Sequence, residues 1–68
     1  MVIKIVELIG ASEKSWADAV QNAVSEATKT VRNVKGVDVI KMTCKVENNK
    51  IVEYRANCKV AFLIEDDR

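Results

Sequence analysis

The chain offers few of the side chains that carry out nucleophilic or acid and base catalysis. It has no histidine in 68 residues, and neither Ser12 nor Ser15 stands in a Gly-x-Ser-x-Gly setting that would activate a hydroxyl. The two cysteines, Cys44 and Cys58, fall among the apolar residues of predicted strands, where a thiol packs as a small hydrophobic group. The sequence therefore predicts a protein that is not an enzyme.

The acidic side chains do not have the spacing of a known metal-binding loop. The carboxylates considered are Glu7, Glu13, Asp18, Glu26, Asp38, Glu47 and Glu53. The Asp-x-Asp-x-Asp-Gly pattern is absent, and without histidine or a Cys-x-x-Cys pair the chain has no zinc set. An ion held between subunits stays open as an alternative, and its ligands are unknown.

Two other side chains, Arg55 and Trp16, are of types that bind anions or aromatic rings. Arg55 lies among polar residues of a long strand, on the face that we expect the helix not to cover. If assembly enclosed that face, the planar guanidinium would be a donor for an anion or an aromatic ring. Trp16, the single tryptophan, is expected to pack as the first residue of the helix rather than to form a stacking surface.

The strand that holds Arg55 is predicted over residues 51–64. Its apolar face comprises Val52, Tyr54, Ala56, Cys58, Val60, Phe62 and Ile64, with polar residues between them. A helical repeat would carry those polar residues through the apolar stripe, so the period of two indicates a strand. Towards its end Ala61 and Leu63 are apolar on the opposite face as well, which predicts cover from another subunit.

Earlier in the chain, the sequence predicts a strand over residues 2–9 and a helix that begins at Trp16. The strand is rich in β-branched residues on both faces, and residues 10–12 are expected to break it. Ser15 is the preferred N-cap, with Asp18 in the first turn, and the helix is predicted to end near Asn33. Its apolar stripe is narrow, with alanines that would let a sheet approach closely, and Lys29 and Arg32 would lie in its last turns. Gly36 is expected to take a positive φ at the exit.

A further strand is predicted over residues 37–46. Its apolar pattern changes phase between Val39 and Ile40, which predicts a bulge, and residues 47–50 read as the turn of a hairpin. The fold class is therefore α+β, a β-α-β-β subunit with a three-stranded antiparallel sheet around one helix and the last strand in the middle. Residues 65–68 are predicted to be a solvated tail.

The length and composition indicate one domain, residues 1–68, that depends on association. A domain this small buries only about 60% of the surface that its unfolded chain exposes, yet 49% of its residues are hydrophobic. We expect subunit contacts through Ile3, Ile5, Ala61 and Leu63. The net charge of +1 with scattered basic residues predicts no nucleic-acid partner, and no apolar run approaches a membrane span. A cytoplasmic protein with reduced thiols is predicted.

Several strings of this sequence, in order and together covering nearly the whole chain, resemble the dodecin family. They are KIVELIGAS, the Ser15-Trp16 pair, ATKTVRNV, VDVI and EYRANCKVAFLIE. The resemblance implies a β-α-β-β subunit whose sheet wraps the helix, and a homo-dodecamer that forms a hollow shell. It also implies flavins bound in pairs between subunits, stacked on tryptophan, for storage or scavenging.

The chain departs from that family pattern at two positions. Gly36 aligns with the tryptophan expected after the helix, and Arg55 aligns with a glutamine that contacts the edge of the flavin ring. The resemblance implies that a flavin such as FMN or riboflavin would be lined by Gly36, Val37, Asp38 and Arg55, with Arg55 as the polar contact. A tryptophan at the helix start with none after the helix resembles a subset of the family associated with calcium. The alternative is therefore a shell that binds calcium or another ion, or a purely structural dodecameric shell with a degenerate flavin site.

Overall fold

The computed structural model describes residues 1–64. It contains β1 (Val2–Ser12), α1 (Trp16–Ala27), β2 (Val34–Glu47) and β3 (Lys50–Ile64). The strands form one antiparallel sheet in the order β1-β3-β2, which confirms the predicted fold and the central position of the last strand. The predicted tail, residues 65–68, lies outside the described residues.

Strand β1 continues past the point where the sequence predicted a break. Gly10, Ala11 and Ser12 pair with β3 instead of leaving the sheet. Gly10 suits this position because it has no side chain: a Cβ here would overlap the carbonyl oxygen of Ala19 and lie 3.1 Å from the Cβ of Ala23. The glycine that was expected to end the strand instead lets the helix lie directly on the sheet.

Helix α1 begins as predicted but ends earlier. Ser15 is the N-cap, and its Oγ accepts a hydrogen bond of 3.0 Å from the backbone N–H of Asp18. The helix stops at Ala27, so the prediction of an end near Asn33 was wrong, and Lys29 and Arg32 lie beyond the helix. Thr28 follows as the C-cap, and its hydroxyl donates to the carbonyl of Ser25 at 2.8 Å.

The left-handed backbone conformation after the helix belongs to Asn33, with φ 60°, and not to Gly36 as predicted. Asparagine tolerates this conformation better than most residues with a side chain. Gly36 lies within β2, which begins at Val34, three residues earlier than expected. The chain has therefore turned back into the sheet before it reaches the glycine.

The hairpin between β2 and β3 has the predicted turn and the predicted bulge. Asn48 and Asn49 both have positive φ, 52° and 64°, as a two-residue type I′ turn requires. The strand register shifts between Val39 and Lys41, and there are further shifts near each end of β2. The bulge at Ile40 lets apolar residues on both sides of it, Val39 and Met42, pair with residues of β3 that face the helix.

The core of the subunit is built from small side chains. It comprises Ala19, Ala23, Ala27, Ala56, Cys58 and Val60. Three of these are alanines of α1, and three lie on the predicted apolar face of β3. That face of β3 is buried at its centre and exposed towards its ends, at Val52 and Ile64. The helix covers one face of the sheet, and no other element of residues 1–64 covers the opposite face. Among the described residues, no helix is long and apolar enough to cross a membrane.

Substitution of Ser15 by alanine is expected to lower the free energy of unfolding by about 1 kcal/mol, because the Asp18 N–H loses its acceptor. Chemical denaturation at a fixed protein concentration measures the change. Ser25→Ala is the matched control, since Ser25 is exposed within the helix and its Oγ accepts only a 3.2 Å hydrogen bond from Gln21. Equal losses in the two variants would contradict the capping role.

Candidate functional site

The face of the sheet turned away from α1, called the open face below, carries the polar residues of β3. Ala56 and Cys58 are buried against the helix, so Arg55 and Asn57, which alternate with them, lie on the opposite side. Cross-strand partners share a face. From one end to the other, the rows of the open face are Ile5, Ala61 and Gly36; Glu7, Lys59 and Asp38; Ile9, Asn57 and Lys41; and Ala11, Arg55 and Thr43.

A cavity of about 260 Å³ lies on the open face over the last two of these rows. It is lined by Ile9, Lys41, Thr43, Arg55 and Asn57. The bulge at Ile40 directly precedes Lys41 in β2, so the irregular part of the strand lies beside the cavity. Two cationic side chains, a hydroxyl and an amide around one small cavity suit an anion or a polar ring edge.

Arg55 lies where the sequence predicted it, on the sheet face that the helix leaves uncovered. Its Nε donates to Oε1 of Glu53 at 3.0 Å. This hydrogen bond and the guanidinium charge lower the pKa of Glu53, and the same contact raises the pKa of Arg55. The pair thus stays ionised at neutral pH. The contact uses one of the five N–H donors of the guanidinium.

Asn57, which lines the cavity, carries an unsatisfied acceptor. Its Oδ1 is buried and accepts no hydrogen bond from the described residues. A buried acceptor without a donor costs about 1–3 kcal/mol.

The structure separates the predicted site residues within one subunit. Gly36 is opposite Ala61 of β3, whereas Arg55 is opposite Thr43. Ala61 is six positions along β3 from Arg55, which is about 20 Å at about 3.3 Å per residue. Gly36 and Asp38 lie on the open face, but Val37 pairs with Val60 and faces the helix side. Within one subunit the four predicted residues therefore do not line a single site.

Trp16 packs at the start of the helix, as predicted, and also reaches β2. Its indole N–H donates to the carbonyl of Thr43 at 3.1 Å, and its ring meets Tyr54 edge-on with centroids 5.0 Å apart. The residue is nevertheless exposed, with 37% of its surface accessible. Trp16 thus holds the backbone of a residue that lines the cavity, while its ring lies outside the cavity.

Sequence reasoning found Arg55 but missed the other residues of the cavity, Ile9, Lys41, Thr43 and Asn57. Asn57 could have been predicted, because it is two residues from Arg55 and therefore lies on the same face of the strand. Lys41 and Thr43 depend on the exact strand register, which the sequence did not provide.

Cys58 is buried in the core and Cys44 is half-buried, and both are free thiols. Burial raises the pKa of the Cys58 thiol. Within residues 1–64, no three or more Cys, Asp or Glu side chains form a group that could hold a metal ion.

The native protein is expected to resist alkylation at Cys58, because only the thiolate reacts and the sulfur is inaccessible. Treatment with iodoacetamide at neutral pH, followed by peptide mass spectrometry, measures this. The same protein in denaturant is the control and should react at both cysteines. Rapid labelling of Cys58 without denaturant would contradict its position in the core.

The family model and the relatives that match this chain all point to the same family. The family model for dodecin matches residues 2–65. The chain is 32% identical to the dodecin of Thermus thermophilus over 65 residues, 96% of this chain and 94% of that one. It is 31% identical to the calcium dodecin of Mycobacterium tuberculosis over 61 residues, 90% of this chain and 86% of that one.

Solved structures agree with this fold. A crystal structure of a Thermus thermophilus protein, 32% identical, superimposes with a TM-score of 0.91 and covers 96% of each chain. The calcium dodecin of Mycobacterium tuberculosis, a calcium-chelating antigen with a novel calcium-binding site, is 28% identical. It superimposes with a TM-score of 0.82 over 100% of this chain and 97% of that one. On the family match and these relatives, the chain belongs to the dodecin family.

Proposed function

We propose that the chain forms a homo-dodecameric shell that binds a flavin, FMN or riboflavin, at its subunit interfaces for storage or scavenging. The observation that carries the proposal is the cavity beside Arg55 on a sheet face that the subunit's own helix leaves uncovered. Membership of the dodecin family supports the choice of ligand.

The apolar end of the open face supports assembly. Ile3 and Ile5 are 48% and 55% exposed, and they lie opposite Leu63 and Ala61 of β3. Burial of such a patch is favourable by about 25 cal/mol per Å² of apolar surface removed from water. A subunit whose own core contains mainly alanine gains much of its stability this way. Native mass spectrometry should find a dodecamer, and a monomer at micromolar concentration would contradict the shell.

In the proposed site the ring lies between subunits, against Gly36, Asp38 and the backbone of Val37 of one chain and Arg55 of another, because the Val37 side chain faces the helix side. Arg55 retains guanidinium N–H donors beyond the one bonded to Glu53, and they suit the carbonyl oxygens at the edge of the ring. Fluorescence titration tests this, because enclosure of the ring between subunits should change flavin emission. Unchanged emission at a large excess of protein would contradict flavin binding.

A calcium-binding shell is the second candidate function. It is favoured by the similarity to the calcium dodecin of Mycobacterium tuberculosis and by the presence of a tryptophan at the helix start with glycine at position 36. In this alternative the flavin site is unused. A rise in melting temperature with calcium, reversed by chelator and absent with magnesium, would support it over the flavin proposal.

We propose further that the protein acts without catalysing a reaction and is located in the cytoplasm. Burial raises the pKa of the Cys58 thiol, which makes it less reactive than an ordinary thiol. Free thiols at Cys44 and Cys58 suit a reducing compartment. Turnover of a flavin or its reduced form by the purified protein would contradict the absence of catalysis. Recovery of the protein in a periplasmic fraction would contradict the cytoplasmic location.

A further inference from the structure

We propose that residues 41–45 of β2 form a two-state element, which can pair with β3 in the register of the structure or in a second register displaced by one residue. The two registers place opposite faces of this segment on the open face of the sheet. The inference goes beyond the proposed function, because it concerns a conformational change and does not depend on which ligand the protein binds.

The two bulges on either side of the segment compensate each other. Strand β2 has one extra residue at Ile40, and β3 has one extra residue at Val52. Each extra residue shifts the pairing by one position, and the two shifts have opposite directions. The register at the turn, where Glu47 is opposite Lys50, is therefore the same register that holds beyond Ile40. A hairpin without either bulge would leave both of its ends unchanged and re-pair only the segment between them.

The uninterrupted register would reverse the faces of the segment. In it Met42 would be opposite Arg55, which is opposite Thr43 in the structure. A slip of one residue moves every side chain of a strand to the other face, so Lys41 and Thr43 would leave the open face. Met42 and Cys44 would take their places. A polar ligand or partner on this strip would thus favour the observed register, and an apolar one the other, each by its difference in affinity.

The packing of the subunit holds β3 and constrains this part of β2 weakly. Strand β3 pairs with β1 without a bulge from Tyr54 to Ile64, and α1 packs mainly on β1 and β3. On the helix side of β2, Met42 is 58% exposed, so a lysine in its place would keep its charged end in water. Because neither face of the segment is fully buried, burial alone specifies the register weakly.

Each register has an advantage that the other lacks. The observed register places Lys45 opposite Glu53, and a cross-strand pair of opposite charges is stabilising. The uninterrupted register would bring Ile40 and Val52, the two bulged residues, back into the ladder. These opposing contributions are each small, so one substitution can shift the balance.

Disulfide formation by the natural thiol of Cys44 distinguishes the registers. Cys44 is opposite Tyr54 in the structure, so Tyr54→Cys should form an intrachain disulfide when the intact assembly is oxidised. Glu53→Cys should form one only in the uninterrupted register, because the two side chains otherwise point to opposite faces. Its initial rate should be about 10- to 1,000-fold lower, as expected for a state populated at about 0.1–10%. Peptide mass spectrometry of the monomer band from a non-reducing gel identifies the intrachain product.

Lys41→Val, added to the Glu53→Cys variant, tests the switch itself. Position 41 is exposed on the open face and would take the place of Met42 on the helix side in the other register. About two-fifths of the valine side chain would then leave water, which should raise the rate of disulfide formation about 3- to 8-fold. Lys50→Val in the same variant is the matched control. It should leave the rate unchanged, since Lys50 is opposite Glu47 in both registers.

Two results with these variants would overturn the proposal. Absence of an intrachain disulfide in every Glu53→Cys variant would mean that the second register is not reached, and equal rates with Lys41→Val and Lys50→Val would mean that the reaction does not report the register. Methyl NMR of the unmodified assembly is an independent measurement. The Met42 methyl group should exchange between two environments while Val60, in the core, keeps one; a Met42 methyl group in a single environment would also overturn the switch. These measurements involve no flavin, so their outcome is separate from that of the proposed function.

Discussion

Replacing Gly36 with tryptophan is expected to raise the affinity of the protein for FMN by about 5- to 150-fold. The basis is the about 1–3 kcal/mol that one aromatic side chain contributes when a base stacks on it. The family pattern has a tryptophan at this position, and the proposed flavin site lacks a stacking partner without it. The gain should be measured by fluorescence titration of the intact assembly with FMN.

The subunit has room for this substitution. A Cβ at Gly36 would have no atom within 4 Å, and the residue does not use a positive φ. It lies in β2, opposite the small side chain of Ala61, and aromatic residues are favourable in strands. Gly36→Ala is the control, since it adds a side chain without a ring and should leave FMN affinity unchanged. A tryptophan variant that stays dodecameric and binds FMN no better would contradict the location of the ring site.

The strand order and the start of the helix were predictable because short-range signals determine them. The alternation of β3 over residues 51–64 and the Asn48-Asn49 turn together impose a hairpin, and Ser15 with Asp18 marks the N-cap. The helix end was not predictable from its apolar stripe. The hydroxyls of Thr28 and Thr30 bond to carbonyls one turn back, which gives the backbone an alternative to the helix.

The composition of the cavity depended on the bulges in the hairpin. With an uninterrupted register from the turn, Arg55 would be opposite Met42, but the shift between Lys45 and Val46 places it opposite Thr43. A shift of one residue exchanges the two faces of a strand. Residues near that shift, Val46, Ile51 and Val52, are all apolar, so the sequence carried no pattern that would reveal it. Lys41 and Thr43 were therefore placed on the open face by the structure alone.

The contact between Gly10 and α1 leads to the second large effect. Gly10→Ala is expected to lower the free energy of unfolding by about 3 kcal/mol or more, the upper end of the cost of overpacking a core. The new methyl group would overlap the backbone carbonyl of Ala19, and backbone cannot move aside as a flexible side chain can. For a domain of this size the melting temperature should fall by about 12–24 °C, measured at a fixed subunit concentration.

Two companion variants identify the cause of that loss. Gly36→Ala adds the same methyl group to the same type of residue in open space, so its melting temperature should equal or slightly exceed that of the unmodified protein. Gly10→Ala combined with Ala23→Gly removes the 3.1 Å contact with the Ala23 side chain but not the overlap with the Ala19 backbone. The double variant should therefore recover no stability. Full recovery would place the conflict at the side chain, and an unchanged melting temperature in Gly10→Ala would mean that helix and sheet are not in such close contact.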